Sequence, residues 1–389
     1  MGKIARDKEK PRICFVAHDA YGAMTGGHQG HIGGVERQTS LMARWFAEHG
    51  YDVAMLTWDE GGPAEETVDG VRLIKLCRRD AGIKGLRFFW PKWSSLLSAL
   101  KRADADVYYQ NCAECVTGQV ALWCRRHGRR FVFSAACDPQ CDIRLPYLRT
   151  RHERVLYRYG VKAADKVIVQ SQKQWEMMRQ GFQRDSVVLS MPCPGPAEVS
   201  LVDREAGYGG SPRVLWIARV CEQKRPDRLL DLAEACPDLT FDLVGPADDT
   251  EYARRICQRA RTTSNVVVHG PASREEVSDF YRKAVVMCST SDVEGFPNTF
   301  LEAWSYGLPI VTIFDPDNVV ARQGLGVVAQ DVRGLAAGIR SLCEAPDRRG
   351  EISRKARQYY LEHFTVDAAM AKFEEVFTGL CRESERRAG

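Results

Sequence analysis

Short runs of apolar and β-branched residues recur along the first half of the chain, and amphipathic stretches separate them. The runs lie at residues 12–17, 52–58, 71–76, 106–110, 129–135 and 166–170. Strands that alternate with helical stretches in this way are typical of parallel sheets whose strands are joined by crossover helices. The first half therefore predicts an α/β domain.

The same alternation starts again after a stretch rich in proline and glycine at residues 191–212. Expected strands lie at residues 213–218, 239–245, 265–270, 284–290, 308–314 and 326–330, with helices at 225–235, 249–262, 273–283 and 297–306. From Val332 to Arg386 the pattern is helical only. The chain thus predicts two doubly wound, Rossmann-like domains at residues 1–195 and 196–365. The last helix, at residues 366–389, either packs on its own domain or crosses back to the first.

Composition excludes several classes of protein. With 44% hydrophobic and 27% charged residues over 389 positions, the chain can bury two cores and keep a solvated surface. No apolar run approaches the roughly 18 residues that a bilayer span needs, and the charged start MGKIARDKEKPR is unlike a secretory signal. We therefore expect a cytoplasmic protein whose 14 cysteines are reduced.

The charge is unevenly distributed. Residues 1–200 carry a net charge of +8, whereas residues 201–389 carry −4. A basic first domain fits a nucleic acid, an anionic lipid surface or a phosphorylated substrate, and it does not choose among them.

Ligands of open parallel sheets bind at the carboxyl ends of the strands, so the loops there are the candidate sites. Arg219 and Lys224 follow the first strand of the second domain and could clamp a diphosphate. Gly33 and Gly34 end a glycine-rich loop after the first strand of the chain and open a helix. Backbone amides at such a helix start can approach an anion closely.

The most specific segment is SDVEGFPNTFLEAWSYGLPIV at residues 291–311. Pro297 suits the start of a helix, which places Glu294 in the loop before it and Glu302 on it. The free amides near Asn298 and Thr299 would then face the loop, where a phosphate binds well. Glu302 could accept hydrogen bonds from a ribose diol, and Glu294 could reach sugar hydroxyls.

This segment resembles the E-x7-E signature of retaining family 4 glycosyltransferases, which have the GT-B fold of two Rossmann-like domains facing across a cleft. IARVCEQKRPDRLLDLA is similar to their Arg…Lys diphosphate segment, and GGVERQT to their Gly-Gly-x-Glu loop. The resemblance covers essentially the whole second domain and, more loosely, the first. It implies transfer of a sugar from a nucleoside diphosphate sugar, with UDP or GDP expected, to a saccharide or lipid-linked saccharide. It also implies retention at the anomeric carbon and no metal or other cofactor.

The resemblance also implies roles for individual residues. Arg219, Lys224 and Glu294 would be catalytic, the two cations stabilising the leaving diphosphate and the carboxylate orienting the donor sugar. The donor-binding set would comprise Gly33, Gly34, Gly270, Gly295, Phe296, Asn298, Thr299, Leu301 and Glu302.

The chain departs from the family where many relatives carry a histidine at the end of a first-domain strand. Here that stretch is FVFSAACDPQCD, and Asp138 is the candidate for the role, with Asp142, His28 and His31 as alternatives. The leaving phosphate could also supply the proton chemistry.

Two patterns could suggest a metal. Asp104-Ala-Asp106 precedes its strand and so lies at the wrong end of the sheet, while Asp315-Pro-Asp317 is expected to shape a turn. Two cysteine pairs leave two interpretations open, convergence as zinc ligands or small residues near a loop: Cys112 with Cys115, and Cys137 with Cys141.

The first domain should bind the acceptor. Residues 82–102 interleave lysine and arginine with phenylalanine and tryptophan. Such a segment either lies in the interface of an anionic membrane or forms a surface helix with its aromatic rings in the core. We expect peripheral association with the inner face of the membrane and no binding of nucleic acid.

The alternative functions are a nucleotide-sugar 2-epimerase of the same fold and a non-enzymatic nucleotide-binding protein.

Overall fold

The computed structural model describes residues 10–26, 33–199 and 211–388. Within them the chain forms two compact units, one made of residues up to Pro192 together with those from Asp367 onward, the other of Cys193–Val366. The predicted boundaries at 195/196 and 365/366 lie within three residues of these. His28, His31 and residues 200–210 of the stretch rich in proline and glycine lie outside the described residues.

The first unit contains an eight-stranded sheet of order β3-β4-β2-β1-β5-β6-β7-β8. All neighbouring strands are parallel except β3 and β4. Helices connect the parallel strands, as the sequence pattern predicts, except that β3 rather than a helix lies between β2 and β4. The strands are β1 Ile13–Val16, β2 Val53–Thr57, β3 Glu65–Val68, β4 Val71–Lys75, β5 Val107–Asn111, β6 Arg130–Ser134, β7 Lys166–Val169 and β8 Val187–Val188.

Seven helices lie between these strands in the chain. An eighth, long helix from the C-terminal part of the sequence also belongs to this unit. They are α1 Tyr21–Thr25, α2 Gly34–Glu48, α3 Ser94–Ala103, α4 Cys115–His127, α5 Asp138–Cys141, α6 Arg151–Ala163, α7 Gln172–Met177 and α15 Val366–Ala388. A π-helical turn, Phe88–Trp93, precedes α3.

The second unit contains a six-stranded, wholly parallel sheet of order β11-β10-β9-β12-β13-β14. Its strands are β9 Arg213–Ile217, β10 Thr240–Val244, β11 Val266–Gly270, β12 Val286–Ser289, β13 Ile310–Thr312 and β14 Gly326–Val328. Its helices are α8 Pro226–Ala235, α9 Glu251–Thr262, α10 Arg274–Lys283, α11 Asn298–Ser305, α12 Val319–Gln323, α13 Val332–Cys343 and α14 Pro346–His363. Every strand and helix predicted for this half is present.

The terminal helix α15 packs on the first unit, which settles the two alternatives left open by the sequence. The Phe377 ring stacks on Phe46 of α2 with centroids 5.3 Å apart. At the start of α15, Asp367 accepts a hydrogen bond from Trp45 Nε1 at 2.8 Å. The last element of the chain therefore completes the core of the first domain.

None of the helices over the described residues is both long and apolar enough to cross a bilayer.

Candidate donor site in the second domain

The loop after β9 is fixed by the neighbouring loop after β10. Val220 donates its amide to Pro246 O at 2.8 Å, and Asp248 donates its amide to Val220 O at 3.2 Å. Arg219, at the start of this loop, has 45% of its side chain exposed, and its Nε lies 3.7 Å from Asp248 Oδ1. Such an arginine is held loosely and can turn toward a ligand.

Lys224 and Glu294 form an ion pair between the loop after β9 and the loop after β12. Glu294 is only 9% exposed. Thr290 fixes the backbone of this pair, since its hydroxyl donates to Lys224 O at 2.8 Å and accepts from Trp216 Nε1 at 2.9 Å. The fold therefore brings Lys224, predicted to act on the diphosphate, into contact with Glu294, predicted to orient the sugar.

Two further arginines hold the same pair of loops, and the sequence analysis did not single them out. Arg225 and Arg228 both bind the carboxylate of Asp292, at 2.9 and 2.5 Å. Although burial acts in the opposite direction, these hydrogen bonds lower the pKa of Asp292. The sequence RPDR is basic at a helix entry, but only the fold shows that Asp292 is the partner.

Helix α11 begins where the sequence predicts, with Pro297 as its N-cap and no side-chain hydrogen bond to its first turn. Asn298 and Thr299 are partly exposed there. Leu301, in contrast, is 1% exposed in the core, so only its backbone can contact a ligand. The phenyl ring of Phe296 packs against Phe364 with centroids 5.5 Å apart, next to the partly buried Gly295. A helix start without a side-chain cap is suited to binding an anion.

Glu302 projects from α11 and accepts a hydrogen bond from Tyr281 of α10 at 2.8 Å between oxygens. Burial, together with the charge of Glu302, raises the pKa of Tyr281 well above its usual range. Tyr281 thus stays a neutral donor that orients the carboxylate. Its position inside the helix predicted at 273–283 gave no sign of this role.

Two glycines lie where β10 and β11 end. Gly245 donates its amide to Gly270 O at 2.8 Å. A Cβ on Gly245 would lie 2.0 Å from Ala218 O, and its φ is +134°. Gly270 has a φ of +73° and open space around it. The carboxyl ends of β9 and β10 can therefore approach each other this closely only because Gly245 has no side chain.

In the first domain, Gly33 caps α2 and donates its amide to Glu36 Oε2 at 2.9 Å, while Gly34 begins the helix. Asp138 is 6% exposed and pairs with Lys173 Nζ at 2.7 Å. It also accepts a hydrogen bond from Gln174 Nε2 at 3.1 Å. Asp138 is therefore already bound by two partners within its own domain.

His18, which follows β1, is a titratable group that the sequence analysis missed. Its ring lies 4.5 Å from that of Trp58, and its Nε2 is buried without a hydrogen-bond partner among the described residues. Burial, with the nearby charges of Arg79 and Lys92, lowers the pKa of His18 to about 4. A histidine just after a strand at the carboxyl edge of a sheet is the signal that could have identified it.

The residues that resemble metal ligands have other partners. Asp104 and Asp106 both pair with Arg12 and Arg129 at the start of β5. Asp315 caps α12 by accepting from the amides of Val320 and Ala321.

Cys112 and Cys115, next to β5, are largely buried thiols. Burial raises the pKa of both Cys112 and Cys115 to about 11, which keeps them as thiols. Over the described part of the chain, no three His, Cys, Asp or Glu side chains are grouped so that they could hold an ion. All 14 cysteines fall in that part, and none forms a disulfide.

Family models of glycosyltransferases match both halves of the chain. The model of glycosyl transferases group 1 matches residues 202–359, and that of the glycosyl transferase 4-like domain matches residues 33–192. An amylovoran biosynthesis glycosyltransferase of Erwinia amylovora is 24% identical over 343 residues, covering 84% of this chain and 91% of that protein.

Two solved structures share the fold over nearly the whole chain. Sucrose-phosphate synthase from Thermosynechococcus elongatus has a TM-score of 0.78 at 19% identity, with 96% of this chain and 100% of that chain covered. HepE of Anabaena, solved in complex with UDP-glucose, has a TM-score of 0.71 at 16% identity, covering 95% and 100%. Because transferase models match both domains and these structures share the fold, the chain belongs to the family 4 glycosyltransferases, which have the GT-B fold.

Proposed function

We propose that this glycosyltransferase moves a sugar from a UDP- or GDP-sugar to a saccharide or lipid-linked saccharide, with retention at the anomeric carbon and without a metal ion. The observation that carries the donor assignment is the junction of Lys224 and Glu294 beside the uncapped start of α11. A cation and a nearly buried carboxylate pair there, four positions before the first residue of a helix that no side chain caps. The UDP-glucose complex of the structural relative from Anabaena supports a nucleotide-sugar donor.

In the proposed mechanism, Arg219 and Lys224 neutralise the charge that develops on the diphosphate as the bond to the sugar breaks. The amides of Asn298 and Thr299 add hydrogen bonds to the same phosphates. Because Lys224 pairs with Glu294 before a donor binds, the incoming diphosphate would compete for the lysine and release the carboxylate toward the sugar hydroxyls. Binding and orientation of the donor would thereby be coupled.

Glu302 would accept hydrogen bonds from the ribose, with Tyr281 fixing its orientation. The loops after Gly245 and Gly270 would hold the base, and Gly33 and Gly34 would serve the donor from the first domain. Asp138 is a weaker candidate for the proton chemistry, because Lys173 and Gln174 already bind it. The acceptor proton could instead pass to the leaving phosphate, which needs no protein base.

The donor assignment is tested by thermal shift with UDP-, GDP-, ADP- and TDP-sugars, followed by nucleotide release with candidate saccharide acceptors. Lys224→Met should abolish the shift that the preferred donor produces. The matched control is Lys355→Met, which removes a lysine that also pairs with a glutamate, at 2.6 Å, on α14. An unchanged shift in Lys224→Met would refute the assignment.

The alternative, a nucleotide-sugar 2-epimerase, is separated by product analysis. A transferase releases one nucleoside diphosphate for each sugar moved, and it does so only when an acceptor is present. An epimerase changes the configuration of the sugar without requiring an acceptor.

Metal independence is tested in the same assay, where a chelator should leave the rate of nucleotide release unchanged.

A further inference from the structure

The turn before α3 carries an exposed group of large apolar side chains. Ile83, Leu86, Phe89 and Trp90 are 72%, 64%, 62% and 68% exposed. Single exposed apolar residues are common, but four within eight positions form a patch that usually binds something.

This patch is held outward by an ordered backbone. The amides of Leu86 and Arg87 donate to Ile83 O at 3.1 and 2.9 Å, and those of Phe89 and Trp90 donate to Leu86 O at 3.0 and 3.1 Å. The Phe89 ring also stacks on Trp93 with an interplanar angle of 16°. The exposure of these side chains is therefore a property of the fold.

A cavity of about 920 Å³ lies next to the patch, between α3 and α4. Trp93 belongs both to the wall of this cavity and to the aromatic cluster of Phe89, so the two surfaces are continuous. The apolar part of the wall includes Leu97, Leu122 and Trp123, and Lys101 and Arg126 also line the cavity.

The whole surface is cationic and contains no acid. There is no Asp or Glu in residues 81–102 or in residues 115–137. Five cations of this surface are exposed, and none has an ion-pair partner among the described residues. They are Lys84, Arg87, Lys101, Arg125 and Arg126. Elsewhere in the same domain, arginines such as Arg12 and Arg44 pair with aspartates.

We infer that this surface, comprising residues 83–101 and the exposed side of α4, docks the first domain on a bilayer of anionic phospholipid. Exposed aromatic and aliphatic side chains would enter the interface, and the five cations would lie at the level of the phosphates. The cavity, whose wall contains both apolar and cationic side chains, suits the glycerol and upper acyl region of one lipid. A protein partner would be expected to bring acids into contact with some of these cations, and it would not require a uniformly acid-free surface.

The inference is independent of the donor assignment, because the surface lies in the first domain and the test needs no sugar. The full chain is sedimented with vesicles of phosphatidylcholine alone and of phosphatidylcholine with 40% phosphatidylglycerol, over a range of salt concentrations. We expect binding to the anionic vesicles only, weakening as salt screens the charges. Absence of binding to anionic vesicles at low salt would overturn the inference.

Two variants and their controls localise the contact. Arg125→Glu with Arg126→Glu should lower the vesicle partition coefficient at least about tenfold. Arg254→Glu with Arg255→Glu reverses an equally exposed adjacent pair on α9 and should have little effect. Leu86→Ser with Phe89→Ser should also lower binding, whereas Val267→Ser with Leu361→Ser, at exposed second-domain positions, should not. Equal loss in a variant pair and its control would overturn the assignment of the surface.

Melting curves followed by circular dichroism without any ligand confirm that each variant is folded. Sedimentation equilibrium without lipid tests whether a second copy of the chain, rather than a membrane, binds this surface. If the wild type is a dimer that Leu86→Ser with Phe89→Ser dissociates, the surface is an interface between copies and the membrane inference is wrong.

Discussion

Arg219 and Lys224 follow the same strand, but they contribute differently to the fold. Lys224 compensates a nearly buried carboxylate, so its removal leaves Glu294 without its cation and destabilises the loop. Arg219 is half exposed, and its guanidinium makes a single long contact with Asp248. Substitution of Lys224 should therefore lower the stability of the ligand-free protein as well as donor binding, whereas substitution of Arg219 should affect binding alone.

We predict that Arg219→Ala lowers kcat/KM for sugar transfer about 10²- to 10³-fold, because one donor to the leaving diphosphate is lost. The free energy of unfolding should change by no more than about 0.5 kcal/mol, as expected for an exposed ion pair. Nucleotide release and urea denaturation measure the two effects. Arg254→Ala is the control, since Arg254 also pairs weakly, with Asp249 at 3.9 Å, and should change neither quantity. Wild-type turnover in Arg219→Ala would remove this arginine from the site.

His18 predicts a dependence of stability on pH. Its pKa in the folded protein, about 4, is lower than the ordinary value of 6.5, mainly because the ring is buried. The stability that neutral His18 contributes is therefore complete above pH 6.5 and is lost as the pH falls toward 4. Over that interval the wild type should lose up to about 3 kcal/mol more than His18→Gln, measured by urea denaturation at each pH. Parallel pH profiles of the two proteins would contradict the assignment.

At the scale of elements, α4 and α6 pack so closely that glycine is required on both sides. A Cβ on Gly118 would lie 2.2 Å from Leu156 O, and one on Gly160 would lie 2.6 Å from the carbonyl carbon of Thr117. The backbone of each helix therefore contacts the other directly. This contact fixes α4, which carries Arg125 and Arg126 of the proposed membrane surface.

We predict that Gly118→Ala destabilises the protein by about 2–4 kcal/mol, because the helices must separate to admit the methyl group. Gly379→Ala is the matched control, since Gly379 lies within α15 with no atom near its Cβ position. It should be neutral or stabilising by up to about 1 kcal/mol, as expected from helix propensity. Thermal and urea denaturation check both values, and equal effects of the two substitutions would contradict this account of the packing.

The sequence was sufficient to predict elements whose signal is local. The alternation of strands and helices, the start of α11 at Pro297, and the positions of Glu294 before it and Glu302 on it all follow from patterns within about ten residues. Strand β3 was missed, although Asp69 and Gly70 form a turn typical of hairpins between it and β4. The residues of β3 alternate between exposed and partly buried, but most of them are polar, because the strand lies at the edge of the sheet. An apolar run, which marks the other strands, is therefore absent from it.

What could not be predicted depends on contacts between distant residues. Tyr281 orients Glu302 from 21 positions away, and Asp292 pairs with two arginines more than 60 positions earlier. The surface around Phe89 could not be predicted either. From composition alone, its aromatic side chains fitted both a buried position in the core and an exposed position on the surface. Only the fold shows that they are exposed.

At the scale of the whole molecule, the two units differ in how their chain is assembled. The second unit is one continuous segment, Cys193–Val366, whereas the first is closed by α15 from the other end of the sequence. Phe373 and Phe377 of this helix are fully buried, and the Phe377 ring lies 5.7 Å from Tyr109 on β5. The first domain therefore cannot complete its core until the second has been synthesised.

Phe377→Ala tests this dependence in the full chain. Loss of the ring should weaken the first domain by about 3–5 kcal/mol, since a large buried side chain leaves a cavity beside Phe46 and Tyr109. Hydrogen exchange in β1 and β5 should accelerate by roughly 10²- to 10⁴-fold, while β9 and β12 keep their wild-type rates because α15 belongs to the other unit. Leu361→Ala, at an exposed position on α14, should leave all four strands unchanged. Equal acceleration in both sheets would instead mean that the two domains unfold as one cooperative unit, and that α15 stabilises both.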